Sequence, residues 1–478
     1  MTMGAAQRRP VPRRVALAAA LVGVLCVATP LRVRAQTTEE LMQELRALKE
    51  RVEQLESALK AREAKEVQEA KEPPKPVVPP GMTPQQVQDL NRYATKTETL
   101  ADILEDQGFR GLRISGQMDP TYLYNRAQGR AGFQFLSPIG EDGYHYDNSL
   151  FGMALLDVQK EFENGMRVHL ALAPNRGAGS AVDDNGRSIV HEASVMIPLG
   201  DAQTRLLAGQ IPSWMGYEPM LPTQNKLITH NLLFDFTQPR VYTGAGGQWS
   251  IGSWDLKGLV ANLDSSFRQS GERTPVLVYR ADWARGEYRG YGFSGAHGKA
   301  PNRVNGGPNT TLNLFEVDGW YNRPDWTWQW QLAFGTQEGA AIAPDPTSGT
   351  ARDARWWGAS GLLVYRLRPR LDAAIRADYL NNSGNGGGLY GTGADARDGI
   401  GPEMIGRDST GRLLFRNPDL GASRLALSLG LIYQFNANVT FKAEYRLDRA
   451  TLPVFEDVDD GTFRRSNHLL GASMVLSF

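Results

Sequence analysis

His468-Leu469-Leu470-Gly471-Ala472-Ser473-Met474-Val475-Leu476-Ser477-Phe478 runs on a period of two: counted back from Phe478, the residues Leu476, Met474, Ala472 and Leu470 are all apolar. That period places the five side chains on one face of a β-strand. Ending there with no polar tail, the segment is expected to be the closing strand of a β-barrel set in a membrane.

Average composition hides this reading. The 478 residues carry 52 Lys+Arg against 52 Asp+Glu, and hydrophobic residues make up 41%. A neutral soluble protein would give such values, but so would a barrel whose strands divide their residues between lipid and a watery lumen. Zero net charge leaves no basic stripe to displace counterions from phosphates, which excludes nucleic acid as a partner.

Working back toward the start, three hairpins show the same alternation. Leu425 to Phe435 and Val439 to Leu447 flank Asn436-Ala437-Asn438, Ala359 to Leu367 and Leu371 to Tyr379 flank Arg368-Pro369-Arg370, and Phe315 to Tyr321 and Trp326 to Phe334 flank Asn322-Arg323-Pro324-Asp325. In one of them Phe441, Ala443, Tyr445 and Leu447 face one way while Lys442, Glu444 and Arg446 face the other. An aqueous sandwich would also alternate, but it would not leave Trp326, Trp328, Trp330, Leu332 and Phe334 on a face with nothing to cover it.

Extended along the chain, the count gives about sixteen antiparallel strands. They lie near 111–124, 148–162, 165–174, 188–199, 202–211, 239–251, 254–263, 275–284, 287–298, 310–322, 325–336, 354–367, 370–381, 421–435, 438–449 and 465–478. Short turns alternate with long Gly- and Asn-rich segments. The short turns are assigned to the periplasm and the long segments to the outside, with Trp249, Trp254, Trp283, Tyr321, Trp326, Tyr365 and Tyr433 as a girdle. The fold class is thus an all-β membrane barrel over 108–478, preceded by a short α-helical coiled coil.

The preceding segments supply an address. Arg8, Arg9, Arg13 and Arg14, an apolar run from Val15 to Ala28, and Val33-Arg34-Ala35 before Gln36 read as a signal peptide over 1–35. Cys26 falls within it, so the mature chain is expected to have neither disulfide nor thiol chemistry. Over 36–71, Leu41, Leu45, Leu48, Val52, Leu55 and Leu59 form a heptad seam too short to stand alone, which implies partner chains. The bland alternative is one amphipathic helix on the barrel rim. A Pro-rich linker spans 72–83, and a helix over 84–107 opens with Thr83, Pro84 and Gln86 as a capping box.

A sixteen-stranded barrel encloses an aqueous channel. Lumen-facing charges then set selectivity, and alternation assigns Arg113, Arg167, Arg205, Lys257, Arg280, Asp282, Arg376, Asp378, Lys442, Glu444 and Arg446 to the lumen. Their slight excess of base points to a weak anion preference, against a simpler reading in which they pair across strands and stiffen the wall. Segment 212–238 is aromatic where its neighbours are Gly-rich, and Trp214, Tyr217, Glu218, Lys226, His230 and Asp235 are its constriction candidates. The alternatives are a cap on the outside or a contact with a neighbouring protomer. Asp457-Val458-Asp459-Asp460-Gly461 starts like a calcium loop but lacks the later glutamate. The histidines have no ligand spacing and no G-x-S-x-G occurs, so no metal, cofactor or catalytic residue is assigned.

Signal, coiled coil, linker and barrel together resemble the coiled-coil-bearing porins of Gram-negative bacteria, including the phosphate-selective porin O/P type. The lysine-rich constriction loop of that type is not matched, because 212–238 holds only Lys226. The runs Gly116-Gln117-Met118-Asp119-Pro120-Thr121-Tyr122, Ile189-Val190-His191-Glu192-Ala193-Ser194-Val195, Thr204-Arg205-Leu206-Leu207-Ala208-Gly209-Gln210-Ile211-Pro212 and Thr229-His230-Asn231-Leu232-Leu233-Phe234-Asp235-Phe236 resemble a porin-like proteobacterial family known only as a domain of unknown function. That resemblance implies location and fold rather than cargo, and the expected function is an outer-membrane homotrimer passing small hydrophilic solutes by passive diffusion, with the coiled coil in the periplasm. A second expectation is an envelope tether whose coiled coil binds peptidoglycan, and a third a barrel enzyme, which the absence of a motif disfavours.

Overall fold

The computed structural model describes residues 109–136, 151–173, 189–264, 274–302, 308–342, 344–345, 347–384, 388–389, 400–410 and 413–478. The signal peptide, coiled coil, linker and helix 84–107 lie outside the described residues.

Strands come first as β1 (Leu112–Met118), β2 (Thr121–Asn125), β3 (Arg130–Gln134), β4 (Ala154–Glu161), β5 (Arg167–Leu172), β6 (Val190–Leu199) and β7 (Asp201–Pro212). A one-turn helix α1 (Leu232–Phe236) precedes β8 (Val241–Ile251), β9 (Trp254–Leu263), β10 (Val276–Arg285), β11 (Arg289–Ala300), β12 (Thr310–Asn322), β13 (Trp326–Gln337), β14 (Ala354–Arg368) and β15 (Leu371–Asn381). Short outer pieces β16 (Gly401–Pro402), β17 (Met404–Arg407), β18 (Leu413–Phe415) and β19 (Gly421–Ala422) lead into β20 (Arg424–Gln434) and β21 (Val439–Ala450). After β22 (Phe455–Glu456) and β23 (Phe463–Arg464), β24 (Ser466–Ser477) completes the wall.

Every pairing is antiparallel, and neighbours in sequence are neighbours in the sheet from β4 through β15 and on through β20, β21 and β24. The ring closes where β24 meets β2 from Thr121↔Ser473 to Asn125↔Leu469 and β1 at Gln117↔Ser477. The main sheet has eighteen segments, of which β1 and β2 are halves of one crossing and β3 covers only its upper half, so sixteen crossings form the barrel.

The first crossing, expected as one strand over 111–124, is broken at Asp119-Pro120. Pro120 has no N–H to offer the ladder. The Asp119 carboxylate fills the gap, accepting from the Gly152 and Met153 N–H groups at 2.9 and 2.7 Å. At the seam Gly116 and Phe478 exchange both backbone hydrogen bonds at 3.0 Å. The Phe478 ring lies over Gly116, where a Cβ would come within 2.4 Å of it.

Alternation sorts side chains into the two faces. On β20, Leu425, Leu427, Leu429, Leu431 and Tyr433 are exposed on the outside, whereas Arg424, Ala426 and Ser428 are buried inside. Trp328, Leu332 and Phe334 of β13 continue that outer apolar face, and Ala333 and Gln331 lie buried within. The segment expected as the loop 126–147 contributes β3, and the one expected as 382–420 contributes β16 to β18.

Candidate functional site

Between β7 and β8 the chain leaves the wall at Pro212 and returns at Val241. Pro222 then turns the departing segment, with the Gln224 N–H closing the turn on the Leu221 carbonyl at 3.0 Å. Asn231 then caps α1, its side-chain oxygen accepting from the Phe234 N–H at 2.8 Å. The segment reaches inward-facing residues around the ring. Thr223 Oγ1 donates to Gln117 Oε1 of β1 at 2.5 Å, Tyr217 lies 2.7 Å from Ser360 of β14, and Thr237 donates to Glu316 of β12 at 3.2 Å. Arg280 of β10 donates to the Trp214 carbonyl at 2.7 Å.

Apolar contacts follow the same course. Leu227 packs with Leu362, Val364, Ala374 and Ile432. Met220 and Phe234 pack with Leu155 and Ala171 of β4 and β5, and Ile228 packs with Leu469 of β24. Leu232, Leu233 and Phe236 join a core that also holds Ile342, Leu389 and Ile400 from the long segments beyond β13 and β15. Every residue from Asn231 to Tyr242 is buried. The segment therefore lies across the barrel interior with wall on one side and outer segments on the other.

A charged clamp holds its middle. Arg376 of β15 donates to Glu218 at 2.9 Å, to Asp378 at 3.0 Å, and to the Thr229 and His230 carbonyls at 2.6 and 2.8 Å. Glu444 of β21 accepts from the Ile228 and Thr229 N–H groups at 2.7 and 2.8 Å. The Thr229 hydroxyl donates to Glu444 at 2.6 Å and accepts from Arg376 and Arg446, both at 3.1 Å. Lys442 donates to the Pro222 and Asn225 carbonyls, each at 2.6 Å. Asp448 answers Arg446 and Arg424 at 3.0 and 2.9 Å, and the Arg424 guanidinium also lies over the rings of Phe236 and Phe455. Buried cations with this many acceptors are held because removing one partner leaves an uncompensated charge in a low dielectric.

Burial also shifts the loop's own titratable groups. Glu218 is pushed up to about 7, since loss of water, with Asp378 beside it, outweighs the Arg376 guanidinium and the Asn231 N–H. His230 is pushed down to about 3 by burial, reinforced by the cations Arg376, Arg240 and Lys442. Its ring stacks on Phe234 with centroids 3.9 Å apart.

The expected lumen residues thus divide into two sets. Arg280, Arg376, Asp378, Lys442, Glu444 and Arg446 are buried; Glu218, His230 and Asp235 are buried with them, with Tyr217 in contact and Asp282 bound to Arg280 at their edge. Arg113, Arg167, Arg205 and Lys257 lie toward the short-turn end, outside the clamp. There Arg167 pairs with Glu161 at 3.0 Å and Lys257 with Asp255 at 3.2 Å, while Arg205 donates to the Ala202 carbonyl at 2.8 Å. Lys226 is exposed, and half-buried Trp214 packs on Tyr242 with Lys257 over its ring. Asp457 and Asp460 of the acidic turn both pair with Arg464, at 2.7 and 2.9 Å.

One grouping escaped the sequence reading. His169 of β5 has Asp157 of β4 at 2.5 Å from Nε2 and Glu192 of β6 at 2.9 Å from Nδ1. The signal was present in the strand pairing, since all three face inward on adjacent crossings near the register pairs Gln159↔His169 and His169↔Ser194.

The model of the family described as "Protein of unknown function (DUF3138)" matches residues 80–275 and 289–478. Among curated proteins no sequence matches the chain. Among solved structures the chain is similar to the anion-selective porin from Comamonas acidovorans, at 10% identity over 77% of this chain and 99% of that one, with a TM-score of 0.48. OprB of Pseudomonas putida is similar at 12% identity over 79% and 96%, with a TM-score of 0.46. A loop L8 deletion mutant of OmpT, an outer membrane protein of Vibrio cholerae, is similar at 12% identity over 77% and 99%, with a TM-score of 0.44.

Proposed function

The chain belongs to the DUF3138 family, and from the closed barrel and its inward loop we propose that it is an outer-membrane channel passing small hydrophilic solutes by passive diffusion. The observation that carries this reading is the wall itself, sixteen crossings with an apolar outer face and a polar inner one. A ring of that size has room for water, and its outer face is suited to lipid.

In this reading segment 213–240 narrows the passage, and solutes follow the short-turn half of the inner wall. Charge selectivity is weak, because Arg280, Arg376 and Arg446 are each neutralised by carboxylates and Lys442 is engaged by backbone carbonyls. The remaining cations Arg113, Arg167, Arg205 and Lys257 share the wall with Asp157, Glu161, Glu192 and Asp255, four against four, which keeps the proposed preference for anions slight. The signal peptide directs export, the heptad seam over 36–71 holds a homotrimer on the periplasmic side, and no residue is assigned a catalytic role.

A second reading is favoured by one observation, the burial of Asn231 to Tyr242 on both faces. A filled lumen suits an envelope tether whose barrel is an anchor and whose coiled coil contacts peptidoglycan. Conductance of the folded protein in a planar bilayer, with reversal potential under a salt gradient, separates the two. Stepwise openings in threes with a small reversal potential support the channel; a silent bilayer from protein that is folded by heat-modifiable mobility sinks it in favour of the tether.

A further inference from the structure

The outer face of β11 to β14 carries two aligned rows near its long-loop end. His297, Asn313, Thr336 and Arg355 are in direct register across the four strands. Two residues nearer the short-turn end, Phe315, Phe334 and Trp357 form a second row, which Asn381 of β15 continues. Two residues along a strand is about 7 Å. A polar row thus stands one step above an aromatic one, on the face that alternation turns toward lipid.

Between them lies a groove of about 560 Å³. Phe315, Phe334 and Trp357 expose 39, 48 and 43% of their surface to it and to the surroundings, so these rings are held open and not closed over one another. Gly295 ends the aromatic row without a side chain, and Tyr279 fills its place, reaching His297 Nε2 at 3.2 Å with the two rings stacked. His297 Nδ1 is turned to Asn313 Oδ1 at 3.2 Å, which fixes the ring at the rim. Arg355 is exposed, and among the described residues it has no ion-pair partner and no carboxylate lines the groove. Elsewhere on the barrel the arginines under the loop are matched by acids. The uncompensated cation here stands at the level where an apolar band gives way to headgroups.

We infer that this groove seats one phosphorylated acyl lipid of the outer leaflet, with a headgroup phosphate on Arg355 and the Asn313 and Thr336 side chains and an acyl chain laid along Phe315, Phe334 and Trp357. Arg355 offers a planar fork of N–H donors to the phosphate oxygens. The aromatic row gives the chain a fixed apolar track. A lipid without phosphate meets the same track but leaves Arg355 without a counterion.

The inference requires the barrel to sit in a membrane but not to conduct. The full chain in detergent micelles is titrated with a diphosphorylated, acylated disaccharide and with the same glycolipid stripped of phosphate, and bound lipid is counted by native mass spectrometry. One retained phosphorylated lipid per barrel is expected, with occupancy lowered about fivefold in Arg355→Gln, as one surface cation near anionic lipid implies, and largely kept in Arg355→Lys. Arg205→Gln, on the inner wall, leaves it unchanged. Equal retention of the two glycolipids, or occupancy unmoved by Arg355→Gln in protein of folded mobility, overturns the site. A silent bilayer with lipid retained overturns the channel alone.

Discussion

The inner wall beneath the loop and the inner wall near the short turns use the same residue types to opposite ends. Under the loop, Arg376 and Arg446 have no exposed surface and spend their donors on Glu218, Asp448 and the carbonyls of Thr229 and His230. Near the short turns Arg113 and Arg167 face solvent, and Arg167 keeps a single partner at 3.0 Å. What separates the two sets is whether a second layer of chain covers them. A covered guanidinium is a structural fastener whose charge no solute meets, and an uncovered one contributes to the field a solute crosses.

The sharpest way to break this contrast is Arg376→Ala. It strands Glu218, Asp378 and Glu444 around a missing cation, a cost of about 3–5 kcal/mol. A lower thermal midpoint with larger, noisier conductance steps is the expected result. Next is Glu444→Gln, which weakens the charge-assisted bonds from the Ile228 and Thr229 N–H groups by about 1.5–3 kcal/mol, seen as faster proteolysis of segment 213–240.

Acid gives a smaller effect with a defined sign. His230 has a folded pKa of about 3 against an ordinary 6.5, so its contribution is fully present above 6.5 and is lost as pH falls through 3. Glu218, raised from 4.5 to about 7, acts in the opposite sense, with its stabilisation present below 4.5 and lost as pH rises through 7. Between pH 4.5 and 3 the histidine is the one of these two still titrating, and its share of loop docking should weaken by about 1–2 kcal/mol. Melting curves of His230→Phe, which keeps a ring against Phe234, should fall less over that interval than those of the parent; an unchanged acid loss would place the titrating group elsewhere.

The smallest expected change in stability is that of Arg205→Ala on the uncovered wall, within about 0.5 kcal/mol. Here the readout is the reversal potential, which should move toward cations. A shift of equal size from Arg376→Lys, which keeps the charge under the loop, would erase the distinction between the two regions.

The wall was legible because β-alternation is local. Leu425 to Tyr433 and Phe441 to Leu447 announce their faces within one strand, and the Asn436-Ala437-Asn438 turn sets the pairing that follows. Pro120 was equally visible as a residue unable to donate, yet the break in the first crossing depends on Asp119 reaching Gly152, across a stretch with no pattern of its own. Loop docking was not legible, since its bonds join positions 143 and 215 residues apart, as in Tyr217 to Ser360 and Thr229 to Glu444. Aromatic content marked 212–238 as unusual, but nothing local reveals that Thr229 is the residue two guanidiniums and a carboxylate share. The His169 grouping is hidden for the same reason, since strand order without register does not bring Asp157, His169 and Glu192 together.

The seam between Gly116 and Phe478 also constrains assembly. Until β24 pairs with β1 and β2, both edges display rows of unpaired N–H and C=O groups, each costing several kcal/mol in hydrocarbon. The two edges are separated by nearly all of the described chain, so joining them is the costliest loop closure in the fold. An open sheet could not wait inside a bilayer for its last strand, so ring closure and entry into lipid should occur as one event.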